Sequence, residues 1–239
     1  MKTEELLAAW RGGLIVSCQA ADDSPLARPD IIAALALTAE RNGAVGVRID
    51  HPINVRAVRA AVALPILGIE KIFDEDFDVY ITPTYASAAR VRASGADVIA
   101  LDGTMRPRPN GETLRGIVAR VQDDFRCGVM ADIATVDEGL AAVLDAGANL
   151  VGTTLSGYTP ETYGRDAPDY ELVEQLAKRL EVPVLCEGRL RSPEDVRRAF
   201  DCGAFAVVVG TAITGVDRLV RDYAAVTPLA RESIEANRS

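Results

Sequence analysis

The chain has 239 residues, of which 49% are hydrophobic and only 5% aromatic, so its core is expected to consist of alanine, valine, leucine and isoleucine. Its formal net charge of −9 argues against a nucleic-acid backbone or an anionic membrane surface as a partner. The length suits one large domain, and no apolar window is long enough to predict a transmembrane helix.

Short apolar runs alternate with longer helical patterns along the whole chain. The predicted strands, in chain order, are Leu14–Cys18, Val45–Arg48, Pro65–Ile69, Val98–Leu101, Cys127–Ala131, Leu150–Thr153, Val182–Cys186 and Ala206–Val209. Capping and stop signals predict helices at Pro29–Asn42, Pro52–Ala61, Ala86–Ser94, Thr135–Ala146 and Ser192–Cys202. Eight βα units without a linker predict a single α/β domain over 1–239, a parallel (β/α)8 TIM barrel with a short tail from about residue 228.

The structural alternative to a barrel is a doubly wound open sheet, which normally uses fewer strands. No G-x-G-x-x-G motif follows the first predicted strand, so the barrel is favoured. The four cysteines form no CxxC pair, and three of them fall in predicted strands, where a small buried side chain fits. Residues 1–13 lack the long apolar run of a signal peptide. Together these features predict a reducing, cytoplasmic location.

A polar residue, or a glycine followed by one, closes every predicted strand. In chain order the closing residues are Gln19, Arg48, Lys71, Asp102, Asp132, Thr154, Glu187 and the pair Gly210-Thr211. Turn-forming residues are expected where a strand merely ends, whereas this set holds two cations, three carboxylates and one amide. Catalytic groups of (β/α)8 enzymes stand at the carboxyl ends of the strands, so this ring is predicted to form a site.

The side chain of Lys71 ends a strand that is apolar throughout. Because side chains alternate along a strand, a Lys71 that points into the barrel mouth requires Ile69 and Leu67 to point inward beneath it. The same parity places Met130 under Asp132. We therefore expect apolar layers inside the barrel and a polar ring above them.

The loops after the seventh and eighth predicted strands have the composition of a phosphate site. In barrels of this kind, loop amides and a helix N-terminus bind phosphate at this position. Gly188, Gly210 and Thr211 are small enough for a ligand to approach the backbone closely. Arg189 adds a guanidinium at one side of the same loops. The sequence therefore predicts a barrel of the phosphate-binding type.

Eight segments in chain order carry a resemblance that extends over nearly the whole barrel. They are GGLIVSCQA (12–20), LPILGIEK (64–71), ITPT (81–84), IALDGTMRPRP (99–109), MADIAT (130–135), GTTLSGYT (152–159), EGRL (187–190) and VVVGTAIT (207–214). Together they resemble the N-acylglucosamine-6-phosphate 2-epimerase family, which interconverts N-acetylmannosamine 6-phosphate and N-acetylglucosamine 6-phosphate. The resemblance implies an isomerase of amino-sugar metabolism, and sialic acid catabolism as its setting.

The resemblance also implies roles for individual residues. The acid/base lysine of the family falls on Lys71 and its partner carboxylate on Glu187. The residues implied or proposed as substrate contacts are Gln19, Arg48, Asp132, Thr154 and Tyr158, and those proposed to bind phosphate are Gly188, Arg189, Gly210 and Thr211. The loop residue Tyr158 has the alternative role of a lid hinge. Two positions depart from the family: Gly215, where members commonly carry a phosphate-binding arginine, and the residue after Arg48-Ile49, where a small residue is usual.

Inversion of carbon 2 requires a base that removes a proton next to a carbonyl and an acid that returns one to the opposite face. Lysine serves as such a base where a nearby cation, here expected to be Arg48, disfavours its charged form. Glu187 is either the second acid/base or the group that orients Lys71. The reaction implies no cofactor and no metal, and His51 is the only histidine.

Two other functions remain open from the sequence. A lysine at a strand end also serves Schiff-base aldolases and lyases that act on sugar phosphates. A catalytically idle barrel that binds a sugar phosphate is the second alternative. The expected partner in each case is a small-molecule sugar phosphate, not nucleic acid or a membrane, and a homodimer is left open.

Overall fold

Eight parallel strands form a closed barrel in the computed structural model, which describes residues 3–229. Each strand pairs with the next in the sequence, and the eighth pairs with the first. The strands β1 to β8 span Leu14–Cys18, Gly46–Asp50, Ile66–Ile69, Val98–Asp102, Gly128–Asp132, Leu150–Gly152, Val184–Glu187 and Ala206–Val209. The predicted (β/α)8 barrel is thereby confirmed, whereas most of the predicted tail, from residue 230 onward, lies outside the described residues.

Helices alternate with the strands around the barrel. Helices α1 to α10 span Thr3–Trp10, Pro29–Arg41, Pro52–Ala61, Tyr85–Ala93, Leu114–Phe125, Val136–Leu144, Tyr170–Arg179, Pro193–Asp201, Thr211–Thr214 and Val216–Ala224. The five predicted helices lie within two residues of α2, α3, α4, α6 and α8. None of the helices within residues 3–229 is long and apolar enough to cross a membrane.

Local sequence signals explain why the predicted helices begin where they do. Thr135 precedes α6 and forms a capping box with Glu138, because each side chain accepts a hydrogen bond from a backbone N–H of the other residue. Ser192 and Asp195 form the same motif before α8, where Pro193 also fits the first helical turn. Each such cap contributes about 1 kcal/mol to helix stability.

Apolar side chains fill the interior of the barrel below its mouth. Leu67, Ile69, Met130 and Leu185 are fully buried and belong to one inner cluster. The intervening residues, such as Val129, face outward and pack under the helices. Each fully buried aliphatic side chain contributes about 1.5–3 kcal/mol relative to an exposed one. The predicted inward parity of the third and fifth strands is thus confirmed.

Helix α1 closes the amino-terminal end of the barrel. The indole of Trp10 is fully buried in the inner cluster, and Gly46 lies directly against it. A Cβ atom at Gly46 would lie 2.6 Å from the Trp10 Nε1 atom, so only glycine fits at the start of β2. The aromatic ring fills this end of the barrel. The polar side chains of the mouth lie at the opposite, carboxyl end of the strands.

Strand β2 is longer than the sequence predicts. It ends at Asp50, two residues beyond the predicted end at Arg48, so the prediction that Arg48 closes this strand is wrong. The pairing of β2 with β3 continues up to Asp50 opposite Ile69, which carries the strand past the charged side chain. Arg48 and Asp50 have the same parity and are both buried. The barrel therefore holds a charged residue below its rim.

Candidate active site

The guanidinium of Arg48 is buried in the barrel, with a side chain only 1% exposed. Its Nη2 donates to Asp132 Oδ2 at 2.7 Å, and its Nη1 donates to Asp132 Oδ1 at 3.1 Å and to Glu187 Oε2 at 2.6 Å. The Thr154 hydroxyl donates to Asp132 Oδ1 at 2.5 Å and lies 3.1 Å from Glu187 Oε2. These four residues, Arg48, Asp132, Thr154 and Glu187, are called the arginine cluster below.

One positive charge in this cluster faces two carboxylates. Burial alone would lower the pKa of Arg48, but Asp132 and Glu187 outweigh it and raise that pKa, so the guanidinium stays charged. Burial, with a contribution from the neighbouring Asp132 carboxylate, raises the pKa of Glu187 to about 7 despite the opposing charge of Arg48. Asp132 accepts two hydrogen bonds from Arg48, and Glu187 accepts one. A carboxyl group with such a pKa can give and accept a proton near neutral pH.

The backbone of Glu187 is fixed by a neighbour that the sequence predictions did not include. The Thr153 hydroxyl donates to the Glu187 carbonyl at 2.9 Å and accepts from the Glu187 N–H at 3.1 Å. Thr153 is buried, so water does not compete for these bonds. A residue held at both its N–H and its carbonyl keeps its side chain in one place at the end of β7.

Lys71 lies on the other side of the mouth and is 30% exposed. Its Nζ atom donates to Gln19 Oε1 at 2.5 Å and lies 3.4 Å from Asp50 Oδ2. Gln19 is held in turn, because its Nε2 donates to the Ser17 hydroxyl at 2.7 Å. Lys71, Gln19 and Asp50 are called the lysine cluster below. The lysine is held within the mouth, although a third of its side chain reaches solvent.

The partner expected for Lys71 differs from the partners observed. The sequence predicts Arg48 as the cation that acts on the lysine, but the guanidinium of Arg48 bonds to Asp132 and Glu187. The charged group in contact with Lys71 is the Asp50 carboxylate. Lys71 still lies close enough to Glu187 for its charge to lower the pKa of that carboxyl, so the two clusters form one site.

Arg189 contacts the loop that follows β6. Its guanidinium donates to the Ser156 carbonyl at 2.6 Å and to the Gly157 carbonyl at 3.3 Å, and it lies 4.3 Å from the centre of the Tyr158 ring. Gly188 and Arg189 both have positive φ angles, 105° and 58°, which turn the chain sharply after β7. Arg189 therefore contacts the loop that carries Tyr158, and the ring of Tyr158 is exposed.

The loop after β8 leads directly into the short helix α9. Gly210 precedes α9, and its carbonyl accepts from the backbone N–H groups of Ile213 and Thr214. No hydrogen bond or ion pair within residues 3–229 joins Arg189 to Gly210 or Thr211. The two halves of the predicted phosphate site therefore do not contact each other through Arg189. Their assignment to phosphate stays a prediction.

Close packing explains the glycine that follows α9. A Cβ atom at Gly215 would lie 2.8 Å from the Cα and carbonyl oxygen of Thr211. The backbone of α9 cannot yield as a flexible side chain would, so a larger residue at this position requires the helix to shift. Gly215 therefore permits the close turn between α9 and α10.

Two further polar residues near the mouth were given no substrate or phosphate role from the sequence, although Asp102 belongs to the predicted ring. Asp102 is fully buried and accepts from the Thr104 N–H at 3.0 Å and from Arg106 Nη2 at 2.8 Å. Tyr80 stacks on Phe73, with ring centres 5.2 Å apart. Burial, followed by the charges of Asp132 and Asp102, raises the pKa of Tyr80 to about 12, so its phenol keeps its proton. Only Asp102 had a sequence signal, as the residue that closes a strand.

Comparisons with known proteins identify relatives of this chain. A sequence profile of the family described as "Putative N-acetylmannosamine-6-phosphate epimerase" matches residues 32–228. A protein of Synechococcus elongatus described as "Putative N-acetylmannosamine-6-phosphate 2-epimerase" is 52% identical over 225 residues, which cover 93% of this chain and 97% of the relative. A relative of the same description from Cutibacterium acnes is 49% identical over 214 residues, covering 89% of this chain and 92% of the relative.

Solved structures give the same result. The N-acetylmannosamine-6-phosphate 2-epimerase from Clostridium perfringens has a TM-score of 0.89 and 37% sequence identity, over 93% of this chain and 96% of that one. Thiamine phosphate pyrophosphorylase from Pyrococcus furiosus has a TM-score of 0.59 at 13% identity, a likeness of fold alone. The extent of the family profile and the identity to these relatives show that the chain belongs to the N-acetylmannosamine-6-phosphate epimerase family and is an isomerase.

Proposed function

We propose that this site inverts carbon 2 of an N-acetylated hexosamine 6-phosphate and so interconverts N-acetylmannosamine 6-phosphate and N-acetylglucosamine 6-phosphate. The observation that supports this most is the pair of proton-transfer groups in one mouth. Lys71 is held in the lysine cluster, and Glu187 has a pKa of about 7 in the arginine cluster. The names of the family and of its members supply the substrate.

The proton on carbon 2 becomes acidic only in the open-chain form of the sugar, where the aldehyde carbonyl is adjacent. A base takes this proton, the electron pair moves into the carbonyl, and an enolate forms. A proton then returns to carbon 2 from the opposite face, which restores the aldehyde with inverted configuration. No electrons are gained or lost overall, so the balance of the reaction needs only two proton transfers.

Lys71 and Glu187 fit these two transfers. A carboxyl group with a pKa near the working pH both gives and accepts a proton readily. In a two-base reaction, one of the pair removes the proton and the other returns it. In a one-base reaction, Lys71 performs both transfers while Glu187 orients it and the sugar. Gln19, Arg48, Asp132, Thr154 and Tyr158 are proposed as substrate contacts, and Gly188, Arg189, Gly210 and Thr211 as phosphate contacts.

Incubation of the wild-type protein with N-acetylmannosamine 6-phosphate in deuterated water, without added cofactor, tests the proposal. We expect interconversion of the two sugars and deuterium at carbon 2, measured by NMR. Early label confined to the product indicates two bases, and label in both sugars indicates one. Absence of both interconversion and exchange would contradict the proposal.

Borohydride treatment separates the alternatives. A Schiff-base enzyme leaves a reduced, covalent sugar adduct, and the chain has only three lysines, at positions 2, 71 and 178, so the adduct is easily mapped. We expect no adduct on Lys71. A protein that binds the phosphorylated sugar but exchanges no proton would be the idle barrel.

A further inference from the structure

We propose that Asp50 is the positioning residue for Lys71, a role that rests on the proposed function. Nothing in the sequence analysis assigned Asp50 to the site. Its carboxylate contacts Lys71 twice. Oδ1 accepts from the Lys71 backbone N–H at 3.0 Å, and Oδ2 lies 3.4 Å from the Lys71 Nζ atom. One carboxylate therefore holds both ends of the same residue.

The position of Asp50 in β2 makes these two contacts possible. Asp50 is the last residue of its strand, it lies opposite Ile69 of β3, and its side chain is only 10% exposed. The ladder continues for one more bond, since the His51 N–H donates to the Ile69 carbonyl at 3.0 Å. Two residues beyond Ile69, the backbone N–H of Lys71 donates to the side chain of Asp50, while the other side of Lys71 forms an antiparallel bridge with Ile81.

The other charged groups near Asp50 have different partners or lie farther away. Arg48 precedes it on the same strand but bonds to Asp132 and Glu187. His51 Nε2 is 3.9 Å from Asp50 Oδ1, beyond hydrogen-bond distance, and equally far from Asp22. A buried carboxylate needs a close donor to offset its lost hydration. Within residues 3–229 the two groups of Lys71 are the donors that meet the Asp50 carboxylate most closely.

A held lysine matters because of how the side chain moves. Lysine carries a compact ammonium on a flexible four-carbon stem, and an exposed one samples many rotamers. Proton transfer needs the reacting atoms about 3–3.5 Å apart, and a misplacement of about 1 Å costs on the order of 10²-fold in rate. Asp50, with Gln19 as the third contact, limits the ammonium of Lys71 to one region of the mouth.

The test uses three variants of the full chain. Asp50→Asn keeps an oxygen for the Lys71 N–H but removes the charge that faces the ammonium. Asp50→Ala removes both contacts. The matched control is Asp97→Asn. Asp97 Oδ2 accepts from the Ile66 N–H at 2.9 Å, at the start of β3, whereas Asp50 contacts Lys71 beyond the end of β3. Circular dichroism and thermal melts establish that each variant is folded.

For epimerisation of N-acetylmannosamine 6-phosphate, we expect Asp50→Asn to lower kcat by about 10²-fold with KM changed less than about threefold. Asp50→Ala should lower kcat at least as far, whereas Asp97→Asn should keep the wild-type kcat. A kcat for Asp50→Asn within about threefold of wild type would overturn the proposal, as would an equal loss in Asp97→Asn.

Crystals of the variants separate this inference from the proposed function. We expect the Lys71 Nζ atom in Asp50→Ala to leave Gln19, which requires no substrate and no activity to observe. An ammonium that keeps its place in Asp50→Ala would overturn the positioning role. If the wild-type protein itself does not epimerise the sugar, the proposed function fails, and the position of Lys71 still decides the role of Asp50.

Discussion

The arginine cluster and the lysine cluster share one barrel mouth but are built in opposite ways. Arg48 is sealed at 1% exposure with short bonds to two carboxylates, whereas Lys71 is 30% exposed and meets one amide and one carboxylate. The partners of Arg48 hold its guanidinium in one place, whereas the Lys71 ammonium keeps more freedom of movement. The comparison teaches that the buried cation is held by its partners, whereas the more exposed one is the proton-transfer group of the proposed function.

The cost of burial explains the difference. Removing an ion from water costs several kcal/mol, which is offset only when good partners surround it. Arg48 has such partners, so its charge is locked by Asp132 and Glu187. Lys71 keeps part of its hydration and meets one carboxylate, so less lost hydration has to be offset there. In the proposed reaction, Lys71 and Glu187, one from each cluster, transfer the protons.

The largest expected effect is the loss of activity in Lys71→Met. We expect kcat to fall by about 10³–10⁴-fold and deuterium exchange at carbon 2 to stop, because methionine has no proton to transfer. The free energy of unfolding should change by about 1 kcal/mol or less, since the side chain is partly exposed. Kinetics, exchange and urea unfolding measure these quantities.

The matched control for this variant is Lys178→Met on the exposed face of α7, which removes an ion pair with Glu174. It should leave both kcat and stability near the wild-type values. Retained exchange in Lys71→Met would mean that another group abstracts the proton, and the contrast between the two clusters would be wrong.

The second prediction concerns the stability of the fold instead of activity. Arg48→Met should destabilise the fold by about 3–5 kcal/mol, because it leaves Asp132 and Glu187 buried without a cation. Arg218→Met, which removes an exposed pair with Asp222 on α10, should cost about 0.5 kcal/mol or less. Urea unfolding at neutral pH measures both. Equal stability losses in the two variants would show that Arg48 is not a supporting charge.

The third prediction concerns Glu187→Gln, which keeps the shape of the side chain but cannot transfer a proton. We expect kcat to fall by about 10²–10³-fold. A near-normal kcat would reduce Glu187 to an orienting group and favour a one-base reaction. Glu174→Gln on α7 is the control, because that side chain is half exposed and far from the arginine cluster in the sequence.

The stability of the wild-type protein and that of Glu187→Gln should depend differently on pH. The folded-state pKa of Glu187 is raised from 4.5 to about 7, so the folded protein keeps a proton that the unfolded chain has lost. This stabilisation is complete below about pH 4.5 and is lost as the pH rises through about 7. The unfolding free energy of wild type should therefore fall, relative to Glu187→Gln, by on the order of 2 kcal/mol between about pH 5 and 8. A difference that is flat with pH would contradict the raised pKa.

The smallest expected effect is that of Arg189→Ala. Arg189 lies outside both clusters and holds the loop that carries Tyr158. We expect KM to rise by about tenfold with little change in kcat, as for a residue that binds substrate uniformly. Measurements with N-acetylmannosamine and with its 6-phosphate locate the cause. A rise confined to the phosphorylated sugar indicates a phosphate contact, an equal rise for both indicates a loop role, and an unchanged KM would remove Arg189 from the site.

The order of strands and helices could be predicted from the sequence because its signals are local. Apolar runs, helix caps such as Thr135 and Ser192, and glycine stops depend on residues within a few positions of one another. Helices α1, α5, α7, α9 and α10 received no predicted bounds, although Thr113 and Asp169 cap α5 and α7. The alternation of side chains along a strand also sufficed to place Leu67 and Ile69 under Lys71.

Which polar groups meet could be decided only by the tertiary structure. Arg48 bonds to residues 84 and 139 positions away, and Lys71 bonds to Gln19 over 52 positions. The sequence predicted the ring of polar residues and the family that goes with it. It did not predict that Asp50 closes β2, that Arg48 pairs with both Asp132 and Glu187, or that Arg189 turns toward Tyr158. These outcomes depend on where each strand ends and on how closed pairing around the barrel brings distant side chains within reach, and neither is encoded in neighbouring residues.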